Sequence, residues 1–225
     1  MDKAKDYFYK RLNFDNYMTK NMKIIKKIVN DDYFVQYGIN VRNQLGMDLR
    51  RSKASVDISK LVPKEVKCVF FTRCEGLEMP KLPDTVEVLF IQNCSFRTFY
   101  FPKNLKELYF NASDKIKTLP DISNLKNLWS LDITNYLTLR FLPKNLPENL
   151  TMLTLSYNML MKSSLTHLPK KLEYIYLENC QNIKVIPDLR YLKKLNQITL
   201  EYPYKFPLII DPKTKTIPGL FIKIR

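Results

Sequence analysis

Residues 150–158 read Leu-Thr-Met-Leu-Thr-Leu-Ser-Tyr-Asn, with apolar side chains at the first, fourth and sixth positions and a small polar one at the ninth. Segments 86–94 and 172–180 repeat this frame clearly, with cysteine at the ninth position. Weaker copies begin at Val66, Leu105, Leu128 and Leu195. The seven copies start 20, 19, 23, 22, 22 and 23 residues apart. A repeat this short and regular predicts a solenoid, because each unit can bury its apolar face only against its neighbours.

Each copy of the frame predicts one short strand and one turn of the solenoid. The apolar fourth and sixth positions point into the core, and the residues around them line the concave face of a parallel sheet. Prolines stand three residues before the first apolar position in five copies, at Pro63, Pro83, Pro102, Pro147 and Pro169. Because proline interrupts helices and the repeat is short, the convex side is predicted to be mostly non-helical. Segments 121–126 and 188–193 are each long enough for one helical turn.

The two ends of the chain lack the repeat and are predicted to cap it. Met18, Met22, Ile25 and Val29 have helical spacing, and residues 35–41 alternate as in a strand. These patterns predict an amino-terminal cap that contains a helix and a strand. At the other end, apolar segments on either side of a turn at 211–214 predict a closing hairpin or a last strand pair.

The predicted organisation is therefore an α/β solenoid with three parts. It comprises an amino-terminal cap at 1–60, a solenoid of about seven repeats at 61–203 and a carboxy-terminal cap at 204–225. The solenoid carries a concave parallel sheet and a mostly non-helical convex side. Caps are expected because an open solenoid end would otherwise expose its first or last apolar layer to water.

The ninth position of the frame explains most of the cysteines. Cys74, Cys94 and Cys180 occupy it, as Asn158 does in its own copy, and Cys68 lies in the first predicted strand. A small side chain at the ninth position is predicted to turn inward and to hydrogen-bond the backbone of the neighbouring coil. The cysteines are therefore predicted to be structural and reduced, which suits a reducing compartment. The alternative is a reactive thiol.

Neither catalysis nor a bound cofactor has support in the sequence. The chain has 4 glycines and no glycine-rich phosphate loop, and its single histidine, His167, has no serine or cysteine partner at a recognisable spacing. No CxxC pair or Cys/His cluster suggests a metal site. The prediction is a protein that is not an enzyme, with no cofactor and no small-molecule substrate. The charged start of the chain lacks an apolar signal core, which predicts an intracellular, cytoplasmic location.

The concave face carries the candidate binding residues. Its central column is predicted to contain Phe70, Phe90, Tyr109, Asp132, Thr154, Tyr176 and Thr199, one residue from each strand. Aromatic side chains concentrate binding energy at interfaces, and the acidic residues among them favour a basic protein partner. The predicted partner contacts are Phe70, Phe90, Tyr109, Asp132, Tyr174, Tyr176, Glu107 and Glu178. In the alternative, these rings pack on one another or are covered by the protein's own caps.

The formal net charge of +15 is predicted to lie away from this face, on the amino-terminal cap, the convex side and the carboxy-terminal tail. Lysines occur there at one or two per repeat, without interleaved aromatic residues. A solvated surface accounts for them. The alternative function is association with a polyanion, either nucleic acid or an anionic membrane, for which the basic segment 20–27 is the best site.

The repeat resembles the leucine-rich repeat, whose units are about 20–29 residues long. Segments 101–110, 146–155 and 168–177 carry the likeness most clearly, since each places a proline three residues before the first apolar position of the frame. They look most like the short, proline-marked class found in secreted bacterial effectors, and similar repeats occur in large DNA viruses and protists. The resemblance implies a horseshoe whose concave sheet binds another protein, in a host cytoplasm if the chain is delivered or virally encoded.

Overall fold

The computed structural model describes residues 23–29, 31–39, 44–50, 57–76, 78–111, 119–162, 165–201 and 208–224. Eleven strands form one curved sheet in chain order, and two further strands form a small parallel pair on the opposite side of the coils. The sheet contains β1 (Lys23–Val29), β2 (Phe34–Ile39), β3 (Leu45–Arg50), β4 (Cys68–Thr72), β5 (Val88–Gln92), β6 (Glu107–Asn111), β7 (Ser130–Thr134), β8 (Met152–Ser156), β9 (Tyr174–Glu178), β11 (Gln197–Glu201) and β13 (Phe221–Ile224). The small pair consists of β10 (Val185–Ile186) and β12 (Ile209–Ile210).

The seven predicted repeats form the seven parallel strands β4 to β9 and β11. Neighbouring strands pair with equivalent frame positions opposite one another, as in Leu131, Leu153 and Ile175 of three successive strands. In each strand the fourth and sixth frame positions point inward and are at most 1% exposed. The first apolar position, such as Leu150, is also buried. The repeat frame, its register and the parallel sheet are confirmed.

Tight turns before and after each strand fix the length of the coil. The carbonyl of each of the five predicted prolines accepts a hydrogen bond from the first apolar residue of its frame, as from Leu150 N to Pro147 O at 3.1 Å. After the strand, the eighth position adopts a left-handed conformation in several coils. This column comprises Arg73, Asn93, Asn135, Tyr157 and Asn179, with φ between 47° and 58°. Asparagine tolerates this conformation better than most residues do, which accounts for its recurrence there.

The ninth position joins successive coils as predicted. Asn158 Nδ2 donates to Ile133 O at 2.8 Å, and Asn158 Oδ1 accepts from Tyr136 N at 3.0 Å. The buried thiol of Cys180 donates to Leu155 O in the same manner. The four cysteines are buried, and none of them is in a disulfide. Burial raises the pKa of the Cys94 thiol well above its usual range, so this group stays protonated and unreactive.

The helix predicted in the amino-terminal cap is wrong over the residues that the structure describes. Ile25 and Val29 lie in β1, which pairs antiparallel with β2, whereas Met18 and Met22 lie outside the described residues. The prediction rested on the helical spacing of four apolar residues. The same segment contains two adjacent pairs of β-branched residues, Ile24-Ile25 and Ile28-Val29, and β-branched residues favour a strand. The strand predicted at 35–41 is confirmed as β2, with bounds Phe34–Ile39.

Both predicted caps contribute strands to the same sheet as the repeats. β3 runs parallel to β4, and β13 runs parallel to β11. The carboxy-terminal hairpin is therefore wrong: β12 pairs with β10, and β13 extends the main sheet instead of folding back on β12. Thr214 is fully buried and its hydroxyl donates to Pro187 O at 2.6 Å, which fixes this last coil on the previous one.

The convex side contains turns and extended segments. Among the described residues the helical elements are two 3-10 turns, Ile58–Leu61 and Thr214–Thr216. Segments 121–126 and 188–193, where a helical turn was predicted, form hydrogen-bonded turns instead. In each, an aspartate accepts from the backbone two residues on, Ser123 N to Asp121 and Arg190 N to Asp188. No helix in the described part of the chain is long and apolar enough to cross a membrane.

Candidate binding site on the concave face

The central column of the concave face is assembled as the sequence predicts. Strand pairing places its seven residues side by side across β4 to β9 and β11. At the amino-terminal end of the column, Phe70 and Phe90 stack with ring centroids 4.3 Å apart, and Phe90 and Tyr109 stack at 4.1 Å. We call these three rings the aromatic ladder. Their planes differ by 13° at each step, so one continuous stack crosses three coils.

The aromatic ladder is more buried than an open surface would be. Phe70 is 6% exposed and Phe90 is 7% exposed, while Tyr109 is half-buried. Phe90 lies between two rings, so both of its faces are covered by its neighbours. Ladder stacking therefore contributes to stability as well as forming a surface, and the role of these rings as partner contacts stays a prediction. Replacing them by alanine would also remove folding energy.

Beyond Tyr109 the central column changes to short polar side chains. Asp132 and Thr154 occupy the next two strands, and the following ring is that of Tyr176. Ser130 and Ser156 flank this stretch and are fully buried. Because strands of a sheet lie about 4.8 Å apart, Tyr109 and Tyr176 are about 14 Å apart along the column. We call the stretch between them the recess.

Carboxylates surround the recess and hydrogen-bond to its aromatic and hydroxyl groups. The Tyr109 hydroxyl donates to Glu107 Oε2 at 2.7 Å, and the Tyr176 hydroxyl donates to Glu178 Oε2 at 3.2 Å. The Thr134 hydroxyl donates to Asp132 Oδ1 at 2.6 Å. Each bond joins residues two apart on one strand, so all of these groups project from the same face.

The hydroxyl oxygen of Thr154, in the recess, does not belong to any of these hydrogen-bonded pairs. Thr154 is 0% exposed, and its hydroxyl oxygen has no hydrogen-bond partner among the described residues. Leu153 and Leu155 on either side of it point into the core, so Thr154 points to the concave side. A buried hydroxyl without a partner is unfavourable for folding.

The concave face is acidic although the whole chain is basic. Its described carboxylates are Asp48, Glu107, Asp132, Glu178 and Glu201, and its described cations are Lys27, Arg50 and Lys223. Most other exposed lysines lie away from this face, and many of them immediately precede a strand, on the side of the solenoid where the strands begin, which we call the rim. The rim includes Lys103, Lys126, Lys170, Lys171, Lys193 and Lys194.

Glu87 marks the boundary between the two regions. Its carboxylate lies 3.0 Å from Lys67 Nζ and 2.7 Å from Lys106 Nζ, so one anion bridges lysines of the coils on either side. The hydrogen bond from Lys106, together with that from Lys67, lowers the pKa of Glu87. Glu87 lies one residue before β5, on the rim.

Four residues of the column were not predicted from the sequence. Strand pairing adds Lys27, Gln36 and Asp48 at the amino-terminal end and Lys223 at the carboxy-terminal end. Arg50 pairs with Asp48 Oδ2 at 2.6 Å. Strands around Gln36 and Lys223 were predicted but their place in the column was not, and β3 was missed because Gln44 stands where the seven repeats carry their first apolar residue. The alternation Leu45, Met47, Leu49 was the signal that could have identified β3.

No catalytic arrangement appears among the described residues. His167 is exposed, and its Nδ1 lies 2.9 Å from the Thr166 hydroxyl, the next residue in the chain. Within the described ranges, no three His, Cys, Asp or Glu side chains are grouped in a way that could hold a metal ion.

Tyr174 lies half-buried beside Tyr176 on β9, while Tyr202 lies outside the described residues.

Comparison with known proteins identifies the architecture. No family model matches the chain. It is 31% identical over 121 residues to disease resistance protein RML1A of Arabidopsis thaliana, a match that covers 54% of this chain but only 9% of that protein. The leucine-rich repeat domain of the type III effector XopL superposes with a TM-score of 0.53 at 17% identity, covering 80% of this chain and 75% of that domain. The chain therefore has the solenoid fold of a leucine-rich repeat domain.

Proposed function

We propose that the protein is a non-catalytic interaction module that binds a partner protein through its concave sheet. The observation that carries this proposal is the reversal of charge. A chain of net charge +15 has five carboxylates and three cations on the described part of one face, beside an aromatic ladder. Packing inside the coils does not require this composition, because the concave side chains point away from the core.

The size of the face suits a protein partner. Seven repeat strands at about 4.8 Å spacing make a surface roughly 30 Å long. A standard interface buries about 800 Å² on each side, which a surface of this length can supply. The contacts proposed for the partner are the eight predicted from the sequence, and a basic segment is the partner chemistry that the carboxylates favour.

The relatives support an interaction role and suggest a setting for it. Leucine-rich repeats commonly mediate protein–protein contacts, and one similar domain belongs to a type III effector. We include in the proposal an effector-like role in a cytoplasm, with no small-molecule substrate and no cofactor. The chain spans less than a tenth of the disease resistance protein it resembles, at 9%, so the activity of that protein is not transferred to it.

Paired charge-neutralising variants test the proposal. Glu107→Gln with Glu178→Gln removes two concave charges while keeping a hydrogen-bond acceptor for each tyrosine hydroxyl. Lys170→Gln with Lys171→Gln removes two charges from the rim and is the matched control. In capture from cell lysate at about 150 mM salt, a discrete protein should be lost with the concave variant and retained with the rim variant. Equal recovery by both variants would contradict the concave assignment.

Polyanion association is a second candidate because of a groove on the rim. The groove has a volume of about 1020 Å³, and its lining includes Lys126, Lys144, Asn149 and His167 together with one carboxylate, Glu148. Phosphates of a nucleic acid are the ligands that such a surface would hold, with an affinity that falls steeply as salt rises. This function predicts nuclease-sensitive capture that is weakened by the rim variant and unaffected by the concave variant.

A further inference from the structure

We infer that residues 1–22 bind across the concave face of the same chain and cover its aromatic ladder together with a row of small residues beside it. The cover itself does not depend on the proposed function. Its consequence does rest on that function: a partner that uses the concave face has to displace residues 1–22, so the chain regulates access to its own interaction surface.

The concave face is buried within the single chain. Side chains on this face point away from the core, so neighbouring strands shield their flanks but not their outer ends. Even so, Phe70 is 6% exposed, Glu107 is 4% exposed and Thr154 is 0% exposed. The described elements packed against β5 to β8 are their neighbours within the sheet. Another part of the chain therefore lies over these positions.

A row of small residues beside the aromatic ladder is buried in the same way. Strand pairing places Gly38, Gly46 and Cys68 side by side on β2, β3 and β4. They face the concave side, because the alternate residues Met47 and Val69 belong to the core. We call this row the trough. Its glycines have no side chains with which to cover Cys68, yet Cys68 is 1% exposed. A strand glycine often marks a place where another segment approaches closely, and the trough fits that description.

Residues 1–22 have the length and the attachment point needed to cover this surface. The other segments outside the described residues are at most seven residues long, as at 112–118. Residue 22 precedes Lys23, where β1 begins, and β1 pairs with β2, the strand that carries Gly38. An extended segment of this length spans roughly 70 Å, whereas β1 and β9 are about 40 Å apart across the sheet. Residues 1–22 can therefore cross both the trough and the ladder.

The aromatic content of residues 1–22 suits the trough and the ladder. The aromatic residues of this segment are Tyr7, Phe8, Tyr9, Phe14 and Tyr17. An aromatic ring packed over a strand glycine compensates for the missing side chain. Rings also pack favourably against other rings, such as those of the ladder. The run 7–9 therefore has the chemistry to fill the trough.

The charges agree with this placement. Lys10 and Arg11 directly follow the aromatic run. Along the sheet, the trough and the ladder are followed by Glu107 and Asp132, each of which is 4% exposed. Carboxylates this deeply buried need donors or cations close to them. With the run 7–9 in the trough, the two cations come next to these carboxylates, which makes the segment complementary in charge as well as in shape.

Thiol labelling of the full chain tests the cover, because Cys68 lies in the trough whereas Cys94 belongs to the core. The chain is treated with N-ethylmaleimide under native conditions, and each cysteine is followed by peptide mass spectrometry. Changing the aromatic run to serine (Tyr7→Ser, Phe8→Ser and Tyr9→Ser) should speed labelling of Cys68 at least about tenfold, since burial of one aromatic side chain is worth more than this factor. Labelling of Cys94 should stay slow.

A matched triple variant away from the concave strands is the control. Leu137→Ser, Phe141→Ser and Leu160→Ser replace three exposed apolar side chains and should leave Cys68 as slow as in the wild type. Equal labelling of Cys68 in the wild type and the aromatic variant would overturn the inference. Fast labelling of Cys94 together with Cys68 would show that the aromatic variant has unfolded, and cross-linking of the wild-type fold then decides.

A benzophenone amino acid in place of Phe8 identifies the surface that residues 1–22 contact. Irradiation of this full-length chain at low concentration should give a cross-link within one chain to peptides that contain β4, β5 or β6. A cross-link to the convex side, or none within the chain, would contradict the inference. A cross-link between two chains that increases with protein concentration would assign the cover to a second copy and would also overturn it.

Capture from lysate separates this inference from the proposed function. Because displacement of residues 1–22 weakens apparent partner affinity, the aromatic variant should recover more partner than the wild type. If Cys68 responds as predicted but capture follows the rim variant, the cover stands and the proposed function is wrong. If Cys68 is labelled equally in both chains but capture is lost with the concave variant, the cover is wrong and the concave interface stands.

Discussion

Leu153 and Thr154 are consecutive residues of β8, both fully buried, and they lie on opposite sides of the sheet. Leu153 belongs to an inward column that is apolar in all seven repeats. Thr154 belongs to a concave column that changes from phenylalanine to tyrosine to aspartate to threonine and back to tyrosine. The inward column is constrained by packing against the next coil, which accepts only a few apolar shapes. The concave column is not restricted by this packing, so we attribute its polar and aromatic side chains to binding.

Buried polar atoms near the sheet differ in whether they have a hydrogen-bond partner. Toward the core, the buried amide of Asn158 bonds to the backbone through both its nitrogen and its oxygen. On the concave side, the Thr154 hydroxyl is buried without a partner in the described residues. Unsatisfied polar groups persist where something other than stability maintains them. The Tyr136 hydroxyl toward the core is likewise without a partner among the described residues, so the placement of function on the concave side rests on its carboxylates and aromatic residues.

The largest effect is expected for Leu153→Ala. It removes an inward side chain that is fully buried, and it should lower the free energy of unfolding by about 2–5 kcal/mol. Thr154→Val, one residue away, keeps the shape and removes the unpartnered hydroxyl, so it should leave stability unchanged or slightly raised. Urea unfolding of both variants measures the difference. An unshifted midpoint for Leu153→Ala would show that the assigned register is wrong.

A somewhat smaller effect is expected for Asn158→Leu. This change leaves Tyr136 N–H and Ile133 C=O buried without the bonds that Asn158 supplies, which should reduce stability by about 2–4 kcal/mol. Asn158→Cys is the matched control, because Cys180 makes the corresponding bond to Leu155 O in another coil. Thermal unfolding should show the cysteine variant closer to wild type than the leucine variant. The reverse order would refute the role given to the ninth position.

Tyr136→Phe should stabilise the protein by about 1 kcal/mol. Tyr136 occupies the ninth position of its coil and is fully buried, with its ring 6.1 Å from Phe110 in an edge-to-face contact. Its hydroxyl has no partner among the described residues, so phenylalanine keeps the packing and removes a desolvated polar atom. Destabilisation in the same unfolding assay would show that the hydroxyl is satisfied.

The smallest effect is expected for Glu87→Gln on the rim. The ion pairs with Lys67 and Lys106 are partly exposed, so the change should lower stability by less than about 1 kcal/mol at pH 7. Because the pKa of Glu87 is lowered in the folded state, its contribution is present above the unfolded value of about 4.3 and is lost as pH falls through the lower folded value. Wild type and variant should therefore converge in acid. A gap that widens below pH 4 would exclude this linkage.

The repeating part of the fold could be predicted from the sequence because every coil buries the same apolar frame positions against its neighbours. The spacing of Leu150, Leu153 and Leu155 determines strand, register and inward face together, and the prolines mark the turns. The ends could not be predicted in the same way. The segment 23–29 has both helical spacing and β-branched residues, and its pairing with β2 decides in favour of a strand.

The candidate site was predictable in position but not in burial. Strand register places Phe70, Phe90 and Tyr109 side by side, as their frame positions imply. The rings bury one another because of their rotamers and their stacking distance near 4 Å. Neither can be predicted from the spacing of residues in the repeat. The missing partner of Thr154 likewise became visible only when the neighbouring side chains had been placed.

Site-specific photocrosslinking tests the central claim most directly. A benzophenone amino acid would replace Tyr109 on the concave face in one variant and Lys170 on the rim in another, and each would be irradiated in cell lysate at about 150 mM salt. The account predicts a discrete protein adduct from position 109 and none from position 170. An adduct formed only from position 170 would contradict it and would place the interaction surface on the basic rim.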